Sequence, residues 1–272
     1  MKFAMIGFGY IAQRHLKAIK DLGHEVVAVY DPHNAAGTID SYFPNAKFFT
    51  LFEDFDIYCS RNLPDYVTVL SPNYLHKSHV TWATDRDIPV ICEKPLFISS
   101  HDLLEFENHK IYPILQLRYH PSFTRLQSQA FENPKVTIDY FTYRGDGYGK
   151  SWKADENKSG GLLFNIGIHL FDIVTKIFGP VEFIEGCKGS QFAEIGTLRF
   201  HSGGEASYCL SIDERKPSRV FSVDGVSYEF DSGFTELHTQ CYREILTGRG
   251  FDFHECYEAI RLIERIKIRR RV

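Results

Sequence analysis

Short apolar runs alternate with stretches of helical periodicity through the first third of the chain. Lys2–Ile6 is an almost uninterrupted apolar run, the pattern of a buried strand, and residues 11–21 place Ile11, Ala12, Leu16 and Ile19 on one helical face. β-Branched runs recur at Glu25–Tyr30, 66–70 and 89–92, with a weaker one at 46–49, and 114–117 reads as the last strand of the set. Residues 79–87 and 100–108 read as helices, the second capped by Ser99 or Ser100. This alternation predicts an α/β domain with a parallel, doubly wound sheet, the Rossmann arrangement, over residues 1–115.

The pattern then changes. Residues 136–143, 181–186, 196–200, 206–212, 218–223 and 227–230 are strand-like with little helix between them, which predicts an open, mainly antiparallel sheet in an α+β domain over 116–272. One helix, 163–178, interrupts them and stops at Gly179-Pro180. Two more close the sequence, 236–247 and one from Asp252, whose carboxylate forms a capping box with Glu255 on this reading. The last helix is a candidate to pack back on the first domain.

Composition narrows the function classes. At 272 residues with 43% hydrophobic and 24% charged residues, the chain reads as an ordinary water-soluble protein long enough for two packed domains or one large one. A formal charge of −4 speaks against nucleic acid as a partner. The basic run Lys267 to Arg271 fits the end of a helix, where cations complement the dipole. No stretch approaches the roughly 18 apolar residues that span a bilayer, and the start of the chain lacks the apolar core of a signal peptide. The six cysteines are scattered without Cys-x-x-Cys or zinc spacing, as in a reducing compartment, so a cytoplasmic location and no metal are expected.

Gly7-Phe8-Gly9-Tyr10-Ile11-Ala12 fits G-x-G-x-x-A between the first strand and first helix. The first glycine permits the turn and the second lets a pyrophosphate approach, on the N–H groups at the positive end of the helix. Asp31 closes the second strand, where a carboxylate accepts the adenosine ribose hydroxyls; the following Pro32-His33-Asn34 offers no cation for a 2′-phosphate, which favours NAD over NADP. A plain Asp-Pro turn is the competing reading of Asp31.

The chemistry-bearing candidates sit after later strands. Lys94, in Glu93-Lys94-Pro95, falls at the carboxyl edge of the sheet, where it either addresses a sugar hydroxyl or forms a surface ion pair. His169 follows Asn165 by one turn, so the pair faces one way as an acid/base and an orienting amide; taken alone, a satisfied core histidine is the commoner case. Asp172 orients the His169 ring or caps locally. Ser71, Pro72, Asn73 and His76 follow the fourth strand, where the backbone and Asn73 suit the nicotinamide side and His76 is as readily a helix-start residue. Arg118 and His120 follow the last expected strand, which bears Gln116, and Arg144, Lys150, Lys153 and Lys158 crowd the loop before Gly160, suiting an anionic substrate or simply a solvated loop.

Together these segments identify a resemblance. The chain resembles the Gfo/Idh/MocA oxidoreductase family over essentially its full length, through Gly7–Ala12 with His15, Ser71-Pro72-Asn73 with His76, Glu93-Lys94-Pro95, and Gly160-Gly161, Gly167, His169 and Asp172. Within the family it is similar to the UDP-N-acetylglucosaminuronate and UDP-N-acetylglucosamine 3-dehydrogenases of bacterial surface-glycan (lipopolysaccharide) biosynthesis. The stretches that carry this are Leu115 to Pro121, Ser151 to Asp155 with Lys158 to Gly161, and Leu237-His238-Thr239 with Tyr242, Ile245 and Leu246. The resemblance implies NAD held by Gly7, Phe8, Gly9, Tyr10, Ile11, Asp31, Ser71, Pro72, Asn73, His76, Glu93, Gln116 and Trp152. It implies Lys94 and His169 at the reacting hydroxyl, and a cis bond before Pro95. Substrate contacts fall on Lys94, Arg118, Arg144, Lys153, Asn165 and His169. It further implies a UDP-sugar oxidised at C3, reoxidation by 2-oxoglutarate in some relatives, and a homo-oligomer, dimer or tetramer. Two stretches depart from the pattern: 100–111 is short, as though a helix and its following strand were trimmed, and 186–218 is compact. A dehydrogenase of free sugars or polyols, a non-catalytic NAD-binding sensor or scaffold, and a protein using the open sheet only for interaction remain the rival readings.

Overall fold

The structure, a computed structural model, describes residues 1–145 and 147–270. It divides into two compact units. The first takes Met1–Phe97, Asp102–Gln116 and Phe234–His254; the second takes Ile98–His101, Leu117–Gly233 and the chain from Glu255 onward.

In the first unit, β1 (Lys2–Ile6), β2 (Glu25–Tyr30), β3 (Lys47–Phe49), β4 (Tyr66–Val69), β5 (Val90–Cys92) and β6 (Ile111–Pro113) form one sheet in the order β3-β2-β1-β4-β5-β6, every pairing parallel. Apolar residues of β1 and β4 are buried on both faces, which explains why these strands read as unbroken apolar runs. α1 (Ala12–Asp21), α2 (Ala36–Asp40), α3 (Phe52–Arg61) and α4 (His76–Thr84) are the helices threaded between them. The order reverses between β1 and β4, the switch point where open α/β sheets place their ligands. The last strand lies at Ile111–Pro113, three residues earlier than expected. Pro113 ends the pairing, and the apolar run after it leads into a buried 3-10 turn at Gln116–Tyr119. The crossover before β6 carries a 3-10 segment, His101–Phe106, in place of the expected helix.

The second unit starts with α5 (Pro121–Gln127) and β7 (Lys135–Tyr143), followed by α6 (Glu156–Ser159) and α7 (Ile168–Phe178). β8 (Val181–Gly189), β9 (Ala193–Phe200), β10 (Glu205–Ser211), β11 (Asp213–Val223) and β12 (Val226–Ser227) complete a sheet ordered β12-β11-β7-β10-β9-β8. Only β7 and β10 run parallel, so the expected antiparallel character holds with one exception. α7 lies on one face through Phe171 against Tyr208 and Phe178 against Phe200, ring centroids 5.3 Å apart in each case. α8 (Phe234–Leu246) belongs to the first unit and packs on α1, whereas α9 (Tyr257–Arg270) belongs to the second and packs on α7 and β8. The penultimate helix, α8, is thus the one that belongs with the nucleotide-binding unit.

The expected helix at 163–178 begins as a wider π turn, Leu163–Gly167, before α7. With α6 it makes a helical run, Glu156–Phe178, that is long and apolar enough to cross a membrane, which the sequence reading had not credited to any stretch. Some 67% of its apolar window is buried inside the unit, as in a core helix. The capping box also differs: Asp252 Oδ1 accepts the His254 N–H at 2.9 Å, and Glu255 turns to Arg118 instead.

Candidate active site

In the first unit, β1 ends at Gly7 with φ +94°, a left-handed conformation that favours glycine. A Cβ there would lie 2.6 Å from Ser71 N and 2.7 Å from the Leu70 carbonyl carbon, because the turn after β4 closes against the turn after β1. A Cβ on Gly9 would meet nothing within 4 Å, so that glycine faces open space. The N-cap of α1, Ile11, makes no side-chain cap, and Tyr10 beside it is 86% exposed. Asp31 accepts Phe8 N–H at 2.7 Å on one oxygen and His33 N–H at 2.8 Å on the other. Oδ1 also lies 3.3 Å from His33 Nδ1, and Oδ2 retains a second acceptor direction for a ribose hydroxyl. An uncapped helix start, an open glycine and a fixed carboxylate fit NAD.

The turn after β4 is locked from beneath. His76 is buried, its Nε2 2.7 Å from Ser71 O and its Nδ1 2.8 Å from Pro95 O. Burial lowers its pKa against the pull of those carbonyls. His76 thus ties the Ser71 turn to the Lys94-Pro95 segment, whose peptide bond is cis, as the resemblance implied. Ser71 Oγ lies 2.8 Å from His79 Nδ1, and burial, then the neighbouring His76, brings the pKa of His79 down to about 4. Asn73 and Gln116 are buried and Pro72 half-buried.

From Val90 to Phe97 every residue is buried except Lys94. Its neighbour Glu93 is held by a buried network that sequence reasoning quoted without assigning a role. Oε1 of Glu93 lies 3.0 Å from His15 Nε2 and 3.3 Å from His238 Nε2, and Oε2 accepts the Lys94 N–H at 3.1 Å. His15 Nδ1 lies 2.8 Å from Tyr242 Oη, which is 3.2 Å from Thr68 Oγ1. Burial would raise the pKa of Glu93, but the hydrogen bonds from the two histidines bring it well below the usual carboxylate range. Atoms of His15, Glu93 and His238 that are able to ligate a metal fall within 4.8 Å of one another, yet the pairwise contacts are hydrogen-bonded and need no ion. The available signal was His15 itself, a polar residue in the apolar stripe of α1.

In the second unit, α6 ends at Gly160 with φ +82°, and Gly161 follows at φ +84°, reversing the chain into the π turn. Between Leu162 and Val174 only Asn165 and His169 reach the surface, so they share an accessible face as their spacing required. Asn165 Nδ2 donates to Tyr148 Oη at 3.2 Å and to Lys153 O at 2.9 Å, which fixes the amide orientation. Lys153 and Arg144 form no ion pair with a carboxylate among the described residues; Asp146 lies outside them. Although Lys153 is exposed overall, loss of water around its ammonium, then the charge of Arg144, lowers its pKa. The ammonium lies 5.8 Å from the centre of the half-buried Trp152 ring.

Arg118 is placed differently from expectation. Its Nε and Nη2 donate to Asp172 at 2.9 and 2.7 Å, and Nη1 donates to Glu255 at 2.5 Å, with the side chain 2% exposed. The guanidinium is occupied by structural carboxylates, and Asp172 serves it rather than the His169 ring. Nor does the basic run simply complement a dipole. Lys267 donates to Gly160 O at 3.2 Å, Arg270 pairs with Glu194 and Glu156, and Arg271 lies outside the described residues.

A dinucleotide-type parallel sheet with this glycine turn, in a chain whose second unit carries Asn165 and His169 on the π turn and α7, defines a two-unit oxidoreductase. The chain belongs to the Gfo/Idh/MocA family: the profile described as oxidoreductase family, NAD-binding Rossmann fold matches residues 1–109, and that of the C-terminal alpha/beta domain matches 132–212. It is similar to the WlbA (WbpB) dehydrogenase from Thermus thermophilus, solved in complex with NAD and alpha-ketoglutarate. Identity is 38% and the TM-score 0.93, over 98% of this chain and 94% of that one. The same dehydrogenase solved with NAD and UDP-GlcNAcA superposes with a TM-score of 0.91. Among curated relatives, D-glucoside 3-dehydrogenase of Escherichia coli is 27% identical over 81% of this chain and 74% of its own length. The 2,7-anhydro-N-acetylneuraminate hydratase of Mediterraneibacter gnavus is 28% identical over 65% of this chain, which spans about half (49%) of that relative.

Proposed function

We propose that this NAD-binding oxidoreductase oxidises the C3 hydroxyl of a UDP-N-acetyl-hexosamine, or of its uronate, to a 3-keto sugar nucleotide. The observation that carries the substrate reading is the 38% identity, across 98% of the chain, to a dehydrogenase solved with NAD and UDP-GlcNAcA. The local chemistry supports it, since Arg144 and Lys153 present two cations that lack carboxylate partners among the described residues, a setting for a diphosphate or a sugar carboxylate.

NAD, when bound, supplies the acceptor for the hydride that leaves C3. His169 takes the hydroxyl proton on its imidazole as the O–H bond breaks and the carbonyl forms. Lys94 Nζ donates a hydrogen bond to the same oxygen, stabilising negative charge as it develops. Asn165, its Nδ2 directed at Tyr148 and Lys153 O, presents Oδ1 to a sugar hydroxyl. Phe8, Gly9, Tyr10, Ile11, Asp31, Ser71, Asn73, Glu93 and Trp152 belong to the cofactor side on this reading, and 2-oxoglutarate is the reoxidant. The six free cysteines and cytosolic substrates point to the cytoplasm, in surface-glycan (lipopolysaccharide) synthesis. Exposed Tyr143, Phe183, Ile195 and Val220 on the second sheet suit a homo-oligomer.

Incubation with NAD and UDP-N-acetylglucosaminuronate, with and without 2-oxoglutarate, tests the reading by mass spectrometry. A product lighter by two hydrogens, absent with Lys94→Ala, supports it. Oxidation of a simple glucoside but of neither UDP-N-acetyl sugar overturns it.

A further inference from the structure

The hydrogen bonds around Glu93 have a single consistent polarity. A carboxylate only accepts, so the nitrogens facing Oε1, His15 Nε2 and His238 Nε2, must both carry protons. His15 is fully buried, and burial lowers its pKa against the pull of Glu93, which favours the neutral ring. With the proton on Nε2, Nδ1 is a lone pair and accepts from Tyr242 Oη–H. The Tyr242 oxygen then accepts from Thr68 Oγ1–H. Protons thus run in one direction from β4 through α8 and α1 to the residue preceding Lys94, and Oε2 holds the Lys94 peptide N–H.

We propose that Tyr242, His15 and His238 are positioning residues for the Glu93-Lys94 segment: Tyr242 dictates which nitrogen of His15 bears the proton, and the two histidines together keep Glu93 a carboxylate able to hold the Lys94 peptide. The other ionisable groups facing this cluster are Arg14 from α1, His76 from α4 and Cys241 from α8. None of them supplies a hydrogen bond to Oε1 in place of the histidines. Removing the Tyr242 hydroxyl leaves His15 free to place its proton on Nδ1. The Nε2 lone pair then faces Oε1, and Glu93 is driven to take up a proton. This inference rests on Lys94 acting at the reacting hydroxyl.

The test combines two readouts on the full chain. Carbon-13 NMR of glutamate-carboxyl-labelled protein, with Glu93 assigned from Glu93→Gln, follows its ionisation without substrate. The pH dependence of kcat is measured on the oxidised sugar. Tyr242→Phe, near-isosteric, and His238→Leu should move the Glu93 titration to higher pH, and His238→Gln, which keeps an N–H donor, should restore it in part. The kcat ratio between pH 5 and pH 8 should fall by about threefold or more in Tyr242→Phe. If Tyr242→Phe titrates with the parent, the proposal is overturned; should His238→Leu not fold, Tyr242→Phe decides alone. Absence of turnover on every sugar speaks against the substrate reading only, since the NMR titration still decides this one.

Discussion

Arg118 and Asp172 face each other across the interior of the second unit, two guanidinium nitrogens 2.9 and 2.7 Å from the two carboxylate oxygens. Asp172 sits one turn beyond His169 on α7, and Arg118 also holds Glu255 in the 3-10 turn just before α9, where Lys176 joins at 2.7 Å. The pair therefore fixes the helix that carries His169. Arg118→Met should lower stability by about 3–5 kcal/mol, because it leaves Asp172 buried without its charge partner. Replacing both residues by apolar ones should recover a large part of that loss. Urea unfolding measures this; a rise in the KM of the sugar with unchanged stability would return Arg118 to the substrate.

Gly7 and Gly9 should respond differently to the same methyl group. Gly7→Ala forces a side chain into a left-handed backbone and against the backbone of Leu70 and Ser71, so a loss of about 2–4 kcal/mol is expected. Gly9→Ala meets no protein atom, and its melting temperature should stay near the parent's. Its affinity for NAD should fall about tenfold, or 1.4 kcal/mol, because the methyl group occupies the approach of the pyrophosphate. Calorimetry of folding and of NAD binding separates the two, and equal NAD affinity in Gly9→Ala and parent would remove Gly9 from the cofactor site.

These contrasts mark what was legible in the sequence. The β1–α1 turn was readable because a strand buried on both faces is a continuous apolar run and its turn needs glycine. Asn165 and His169 were readable as one face from spacing alone. The position of β6 was not, since the apolar residues 114, 115 and 117 suit a strand and a buried turn equally. The π turn before α7 leaves too little periodicity over one turn to be told from α. Arg118 and His76 show the deeper limit: residue type announces a charge or an imidazole, but only the fold shows that Asp172, Glu255 and backbone carbonyls already occupy them. The network of His15, His238 and Tyr242 joins residues more than 200 positions apart, beyond any local pattern.

Lys153 and Arg144 should read out the charge of the substrate. Either residue changed to Met should raise the KM for a UDP-sugar about tenfold, with the wild-type advantage shrinking as salt is added. The pKa of Lys153 is lowered by desolvation and by Arg144, so its charge is lost at lower pH than an ordinary lysine's. Substrate binding should accordingly weaken on the alkaline side in the parent and lack that component in Lys153→Met. Steady-state kinetics from pH 7 to 10 measure it; an unchanged KM in both variants would argue for a neutral sugar.

Glu194, on β9 and 1% exposed, should make stability fall as the solution becomes less acidic. One oxygen pairs with Arg270, and the other, Oε2, has no hydrogen-bond partner among the described residues. Burial, only partly opposed by Arg270, pushes its pKa from 4.5 up to about 7. The folded chain therefore binds this proton more tightly than the unfolded chain. Stability from it is full below about pH 4.5 and is lost progressively as the pH rises through 7. The loss is about 2 kcal/mol once residual solvent screening around the carboxylate is allowed for. Glu194→Gln keeps the shape and cannot ionise, so its unfolding free energy should lack this decline between pH 5 and 8. The difference between parent and variant isolates Glu194 from histidines that titrate in the same window. Two parallel stability curves would mean that Glu194 is already charged at pH 5.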